Sequence, residues 1–166
     1  SSSNHAFLSA LDLLRAGRAD AIVAGGSDAP LSYGVVKAWE SMRILAKTGC
    51  RPFSADREGL VLGDGAGALV LETLESAQKR GAPILAELLG AGMSADASDI
   101  VAPTLEGPVT AIRECLADSG LDISDIDYIN AHGTATLGND RTETSAIREV
   151  FGKHADGISV SSTKSM

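Results

Sequence analysis

His132 stands in the run Asp127-Tyr128-Ile129-Asn130-Ala131-His132-Gly133-Thr134-Ala135-Thr136, where a short apolar stretch ends in small and hydroxyl residues. A strand that stops this way holds its last side chains at the mouth of a sheet, and the glycine and threonines behind it leave room for a substrate. Catalytic groups concentrate at such ends. A lone histidine there ordinarily just caps the strand by bonding a nearby carbonyl; its neighbours point further. Lys164 follows Ile158-Ser159-Val160-Ser161 and so also falls at the carboxyl end of a strand. Lysines are usually solvated, but the ends of parallel strands lie side by side, where ligands collect in α/β folds. His132 and Lys164 are therefore expected to share a cleft. Asn139-Asp140-Arg141-Thr142-Glu143 opens a helix just beyond. If Asp140 caps that helix, Glu143 stands at its third position and the pair satisfies exposed amide donors reciprocally. Equally, Asp140 and Glu143 share one helical face and place negative charge near His132 and Lys164, tuning or orienting them.

The elements that position these residues read as an alternating β/α order. Phe7, Leu8, Leu11 and Leu14 follow helical spacing up to Gly17, predicting a buried helix from about Ser2 to Ala16. Ala21-Ile22-Val23-Ala24 reads as a strand entering a Gly25-Gly26-Ser27-Asp28 turn. A helical stretch around Val36 to Ile44 and a loop at Arg51-Pro52-Phe53 come next. Two β segments, Gly59 to Leu62 and Ala66 to Glu72, then flank a Gly63-Asp64-Gly65-Ala66-Gly67 turn, and a helix from Thr73 to Arg80 closes a first half, residues 1–80. The second half, 81–166, opens at Gly81-Ala82-Pro83 with a β run from Ile84 to Leu89. It continues with a helix carrying Val109, Ile112 and Leu116 to Gly120, a strand at Tyr128-Ile129, a helix from about Asn139 to Phe151 and a strand at Ile158-Ser159-Val160.

Composition narrows the function classes. The 166 residues are 44% hydrophobic and 22% charged, enough for a sizeable core. A formal charge of -8 and only 4% aromatics offer neither the field nor the stacking surface for nucleic acid, and disfavour polyanionic partners unless a local basic patch intervenes. Cys50 and Cys115 show no CxxC spacing and no histidines at ligand intervals, so neither a metal site nor a disulfide framework is indicated, and a reducing cytoplasm fits. Leu60 to Leu71 is interrupted by glycines and falls short of the ~18 apolar residues that span a bilayer. No signal peptide is evident at the start. Both ends look cut, so the sequence reads as a fragment.

Gly63 to Ala68 formally satisfies a dinucleotide fingerprint, but that motif needs a helix after it, and Leu69-Val70-Leu71 continues as strand, so the nucleotide reading is rejected. Cys115, beside Ile112 and Leu116, reads as core. Cys50, next to Arg51, reads as a somewhat acidified thiol at most. His5 and His154 read as structural or surface residues.

Several of these stretches occur together, and in this order, in one known family. Arg51-Pro52-Phe53 with Arg57-Glu58-Gly59, Gly63-Asp64-Gly65-Ala66-Gly67, Asn130-Ala131-His132-Gly133-Thr134-Ala135-Thr136 with Asn139-Asp140, and Ser162-Thr163-Lys164-Ser165-Met166 resemble the β-ketoacyl-acyl carrier protein synthases, the thiolase-fold condensing enzymes. The resemblance covers the whole chain and is nearest the type that elongates longer acyl chains. It implies the middle part of a thiolase-like layered αβαβα α/β architecture. A nucleophilic cysteine would stand immediately before Ser1 at a helix N-terminus, where the dipole favours the thiolate. His132 matches the first catalytic histidine and Lys164 the family's lysine; a second histidine belongs a few residues beyond Met166, and Asp140 and Glu143 match supporting acidic positions. The implied reaction is decarboxylative condensation of a malonyl thioester with an acyl-cysteine. A neutral His132 would donate a hydrogen bond to the thioester oxygen, and Lys164, networked with Glu143, would keep the imidazole uncharged or oriented. All of this requires His132 and Lys164 to converge beside the start of the opening helix.

The resemblance further implies no cofactor and no metal, acyl carrier protein as partner, a cytoplasmic homodimer and a basic docking patch drawn from Arg43, Lys47 and Arg51. Other readings remain: a chain-length-factor-like partner without the cysteine, the thiolase branch, or a non-enzymatic acidic α/β binding module.

Overall fold

The first helix and the sheet beneath it explain two glycines. In the computed structural model, which describes residues 2–99 and 102–166, α1 runs Ser2–Arg15 as its apolar spacing predicts. Ser1, the position closest to the expected cysteine, lies outside the described residues. β1 extends over Ala21–Asp28 and pairs antiparallel with β2, Gly65–Glu72, in the register Ala21↔Glu72 to Asp28↔Gly65. Gly25 and Gly26 are thus strand residues rather than the expected turn. A Cβ on Gly25 would come 2.1 Å from Gly67 O, and one on Gly26 would come 2.7 Å from Ser3 Cβ in the first turn of α1. Close approach of helix and neighbouring strand, not chain reversal, selects glycine here. Gly65 and Gly67 likewise begin β2, and since the strand continues to Glu72 with no helix opening on the glycines, the dinucleotide geometry is absent.

Between them the chain departs from expectation twice. The helix read at Val36 to Ile44 is α2, Tyr33–Ser41, ended when Arg43 takes a left-handed φ of 56°. Gly59 to Leu62 forms only one parallel bridge, Leu45↔Leu60. α3, Leu74–Lys79, is capped by Thr73, whose side chain accepts from Ser76 N.

The run 84–89 makes no strand pairing among the described residues. The stretch that follows lies against α4, Glu106–Ser119: a Cβ on Gly90 would meet Ser119 N at 2.5 Å and one on Gly92 would meet Ala111 O at 2.1 Å. α4 stops at Gly120, left-handed with φ 70°. Arg15 joins the first half to this one, donating to Asp118 Oδ1 at 2.8 Å and to Leu89 O at 2.7 Å.

β3, Tyr128–Asn130, and β4, Ser159–Ser161, are parallel with Tyr128 opposite Ser159, Ile129 opposite Val160 and Asn130 opposite Ser161. The crossover between them carries α5, Leu137–Phe151. Its buried face supplies Ile147 and Phe151, which pack with Ile158, and Ile112, Leu116, Ile126 and Ile129 close around them. This cluster fixes α5 to the sheet, and both strands end on the same side of it. No helix among the described residues is long and apolar enough to cross a membrane.

Candidate active site

Parallel pairing of β3 and β4 puts the residues after both strands next to each other, and there the structure brings His132 and Lys164 together. Lys164 Nζ lies 3.4 Å from His132 Nδ1 and donates to the His132 carbonyl at 2.6 Å. An ammonium has donors and no acceptor, so Nδ1 is the acceptor and the ring proton sits on Nε2. His132 as a residue is exposed. Partial loss of water, with the Lys164 cation second, holds the imidazole below the ordinary histidine value of 6.5, against opposing pulls from Glu143 and Asp140. The result at pH 7 is a neutral imidazole presenting a donor.

Backbone geometry around the ring is set from α5. Glu143 accepts from the amides of His132 at 2.6 Å and Gly133 at 2.8 Å. The expected Glu143–Lys164 network is corrected: no ion pair joins them among the described residues, and Glu143 acts on the histidine backbone instead, while Lys164 reaches the ring directly. Asp140 is not the helix cap either. Thr136 caps α5, its side chain accepting from Asn139 N, because the helix starts two residues before the Asn139 expected from the sequence. Asp140, only 1% exposed, turns inward to accept from Phe53 N at 2.7 Å and Ala135 N at 3.1 Å, with Arg57 Nε at 3.6 Å. Asn139 Nδ2 bridges the two carboxylates, 3.2 Å from Asp140 and 3.3 Å from Glu143.

Ser162, buried at the end of β4, went unremarked from sequence although it lies inside the motif that contains Lys164. Its hydroxyl donates to the carbonyls of Gly133 at 3.0 Å and His132 at 3.3 Å, and accepts from Lys164 N at 3.3 Å. One side chain therefore links the backbones of both candidate residues.

The remaining candidates fall elsewhere. Cys50 Sγ lies 4.0 Å from Thr134 O, beside the histidine loop. Cys115 sits on α4 with its sulfur 3.8 Å from Gly90 O, and burial, with Asp118 second, pushes its thiol pKa up. His154 bonds Ile126 O at 2.9 Å. No group of three or more His, Cys, Asp or Glu among the described residues is placed to hold a metal ion. Of the three basic residues, Arg51 is engaged by Asp56 at 3.2 Å and Glu58 at 3.7 Å, whereas Arg43 and Lys47 are exposed.

Comparison with known proteins gives this geometry a context. Residues 1–77 match the Beta-ketoacyl synthase, N-terminal domain, and residues 85–166 the Beta-ketoacyl synthase, C-terminal domain. The chain is 62% identical over 165 residues to Nodulation protein E of Rhizobium sp. (strain N33), covering 99% of this chain and 41% of that protein. It is 43% identical over 164 residues to 3-oxoacyl-[acyl-carrier-protein] synthase 2 of Staphylococcus aureus, covering 95% of this chain and 41% of that one. Among solved structures, the ishigamide ketosynthase/chain length factor superposes with a TM-score of 0.95 at 41% identity, over 100% of this chain and 40% of that chain. The chain thus spans about two-fifths of the length of the relatives it matches and shares their thiolase-like ketosynthase fold.

Proposed function

The chain belongs to the β-ketoacyl synthase family, and on that premise we propose that it carries the malonyl-activating part of a condensing acyltransferase. The observation that supports this most strongly is the contact of Lys164 Nζ with His132 Nδ1, which leaves the ring proton on Nε2. In the proposed reaction an acyl group is first carried as a thioester on a cysteine. The carboxylate of a malonyl thioester then leaves as carbon dioxide, and the electron pair of the broken bond passes into the enolate. That carbon attacks the acyl carbonyl, forming the new carbon–carbon bond and expelling the cysteine thiolate. The His132 Nε2–H stabilises the enolate oxygen, where negative charge develops. Lys164 fixes the tautomer and disfavours the imidazolium, and Glu143 and Asp140 hold the loop. The cysteine, expected immediately before Ser1, and the second histidine, expected after Met166, are not among residues 1–166.

The substrates we assign are acyl and malonyl groups on acyl carrier protein, the enzyme working as a cytoplasmic homodimer in fatty acid biosynthesis, with residues 1–80 and 81–166 contributing to its two similar halves. A second reading, that the acyl chain is one made for nodulation, is favoured by 62% identity to a Nodulation protein E against 43% to a 3-oxoacyl-[acyl-carrier-protein] synthase 2. A non-catalytic chain-length-factor role is compatible with the same fold but leaves the His132–Lys164 contact without a use.

The test is carbon dioxide release from malonyl-acyl carrier protein by a complete synthase carrying residues 1–166, with mass analysis of the acyl product. Release coupled to chain extension supports the reading; a correctly folded synthase that binds both substrates and releases none contradicts it. Carrier protein docking is assigned to Arg43 and Lys47, since Arg51 already has acidic partners. Charge reversal at both is expected to raise KM for the carrier-borne substrate, with a salt dependence that weakens in the variant, and to leave kcat unaltered.

A further inference from the structure

One buried carboxylate holds two residues in a backbone conformation that neither side chain favours. Phe53 and Ala135 both have φ of 63°, in the left-handed region that a non-glycine side chain disfavours. Both donate their amides to Asp140, one to each carboxylate oxygen, at 2.7 and 3.1 Å. They come from different parts of the chain: Ala135 is three residues past His132, and Phe53 is in the 51–57 loop. Arg57, whose side chain is 16% exposed, closes the arrangement with Nε 3.6 Å from Asp140. It also donates to Thr136 O at 3.4 Å, Leu137 O at 3.3 Å and, within its own loop, Ser54 O at 2.9 Å. The Phe53 ring lies beside Gly133 of the histidine loop. A Cβ on Gly133, itself at φ 41°, would come 2.9 Å from Phe53 Cε2 and 2.5 Å from Ser162 Cβ. Phe53 and Ser162 thus leave no room for a side chain on the residue after His132.

We propose that Arg57 and Phe53, acting through Asp140, are positioning residues that lock the 133–137 loop and thereby aim the His132 Nε2–H at the substrate oxygen. Glu143 fixes the amides of His132 and Gly133 from within α5, and Asp140, one turn earlier on the same helix, fixes Ala135 and ties it to the 51–57 loop. Without it, Ala135 relaxes toward a right-handed conformation and swings the peptide that follows His132. The proposal rests on the condensing role given to His132 above. A misplacement of this kind costs rate rather than substrate affinity.

The experiment compares Asp140→Asn, Arg57→Lys, Ala135→Gly, the double variant Asp140→Asn/Ala135→Gly and His132→Ala in a complete synthase carrying residues 1–166, assayed by malonyl-acyl carrier protein decarboxylation across pH. Asparagine keeps the size of Asp140 but offers one acceptor where two amides need one each, and is expected to lower kcat about tenfold or more with KM unchanged. Glycine at 135 removes the strain the carboxylate opposes, so the double variant recovers most of that loss relative to Asp140→Asn. Arg57→Lys keeps a cation beside Asp140 but gives up the fork that reaches the Thr136 and Leu137 carbonyls. It is expected to lower kcat several-fold, and it carries the test if Asp140→Asn does not fold. No recovery in the double variant, or unchanged kcat in Arg57→Lys, overturns the clamp. Undiminished decarboxylation by His132→Ala instead overturns the condensing role itself, which keeps the two failures distinct.

Discussion

Replacing His132 by alanine is expected to cut malonyl decarboxylation by a complete synthase carrying this chain about 10²–10³-fold, the usual effect of deleting one oxyanion donor. The magnitude follows from where the charge appears. The thioester oxygen is a weak acceptor in the ground state and a strong one once carbon dioxide departs, so a donor fixed at that place stabilises the transition state more than the substrate. In the proposed reaction His132 is such a donor, since Lys164 occupies Nδ1 at 3.4 Å and leaves the proton on Nε2. Binding of the carrier-borne substrate should change little, and the loss should fall on kcat. A rate within a few-fold of the parent would remove His132 from the mechanism.

Phe151→Ala should be the most destabilising single change in the described core, by about 3–5 kcal/mol. Phe151 is 3% exposed and packs with Ile147 and Ile158 where α5 meets the β3–β4 pair. Truncation leaves a void at the carboxyl end of the helix whose amino end carries Asp140 and Glu143. Urea unfolding followed by far-ultraviolet circular dichroism measures the effect as a lower midpoint with an unchanged slope. A shift equivalent to under about 1 kcal/mol would mean that α5 is held chiefly by its polar end.

The pairing of His132 with Lys164 was legible because it depends on a local pattern, two short apolar runs each ending in small polar residues, and on the rule that parallel strand ends gather on one side. The roles of the carboxylates were less so. Asp140 looked like a helix cap because Asn and Asp favour that position, yet Thr136 satisfies the same preference and wins. What turns Asp140 inward is the Phe53 amide and Arg57, some eighty residues earlier, and no periodicity records such a contact. Gly25 and Gly26 were misread for the same reason. Glycine signals either a turn or a close approach, and only the packing of Ser3 and Gly67 decides between them. Ile84 to Leu89 carries strand composition, but a strand also needs a paired neighbour.

The central claim is that burial and the Lys164 cation together keep His132 neutral, with Lys164 at Nδ1 leaving the proton on Nε2, and the direct measurement is a nuclear magnetic resonance titration of the His132 ring in this chain, compared with Lys164→Met. His132 should titrate below 6.5, its neutral state showing the Nε2–H tautomer. The sign is set by the charges. A cation disfavours the imidazolium, so removing it raises the pKa and moves the onset of protonation to higher pH, whereas Glu143→Gln removes an anion and moves it lower. Because the folded-state value is depressed, whatever His132 contributes to stability or activity is fully present above 6.5 and is lost as pH falls below 6.5 and through the lower folded-state value. A His132 that titrates at or above 6.5, or that ignores the loss of Lys164, contradicts the account.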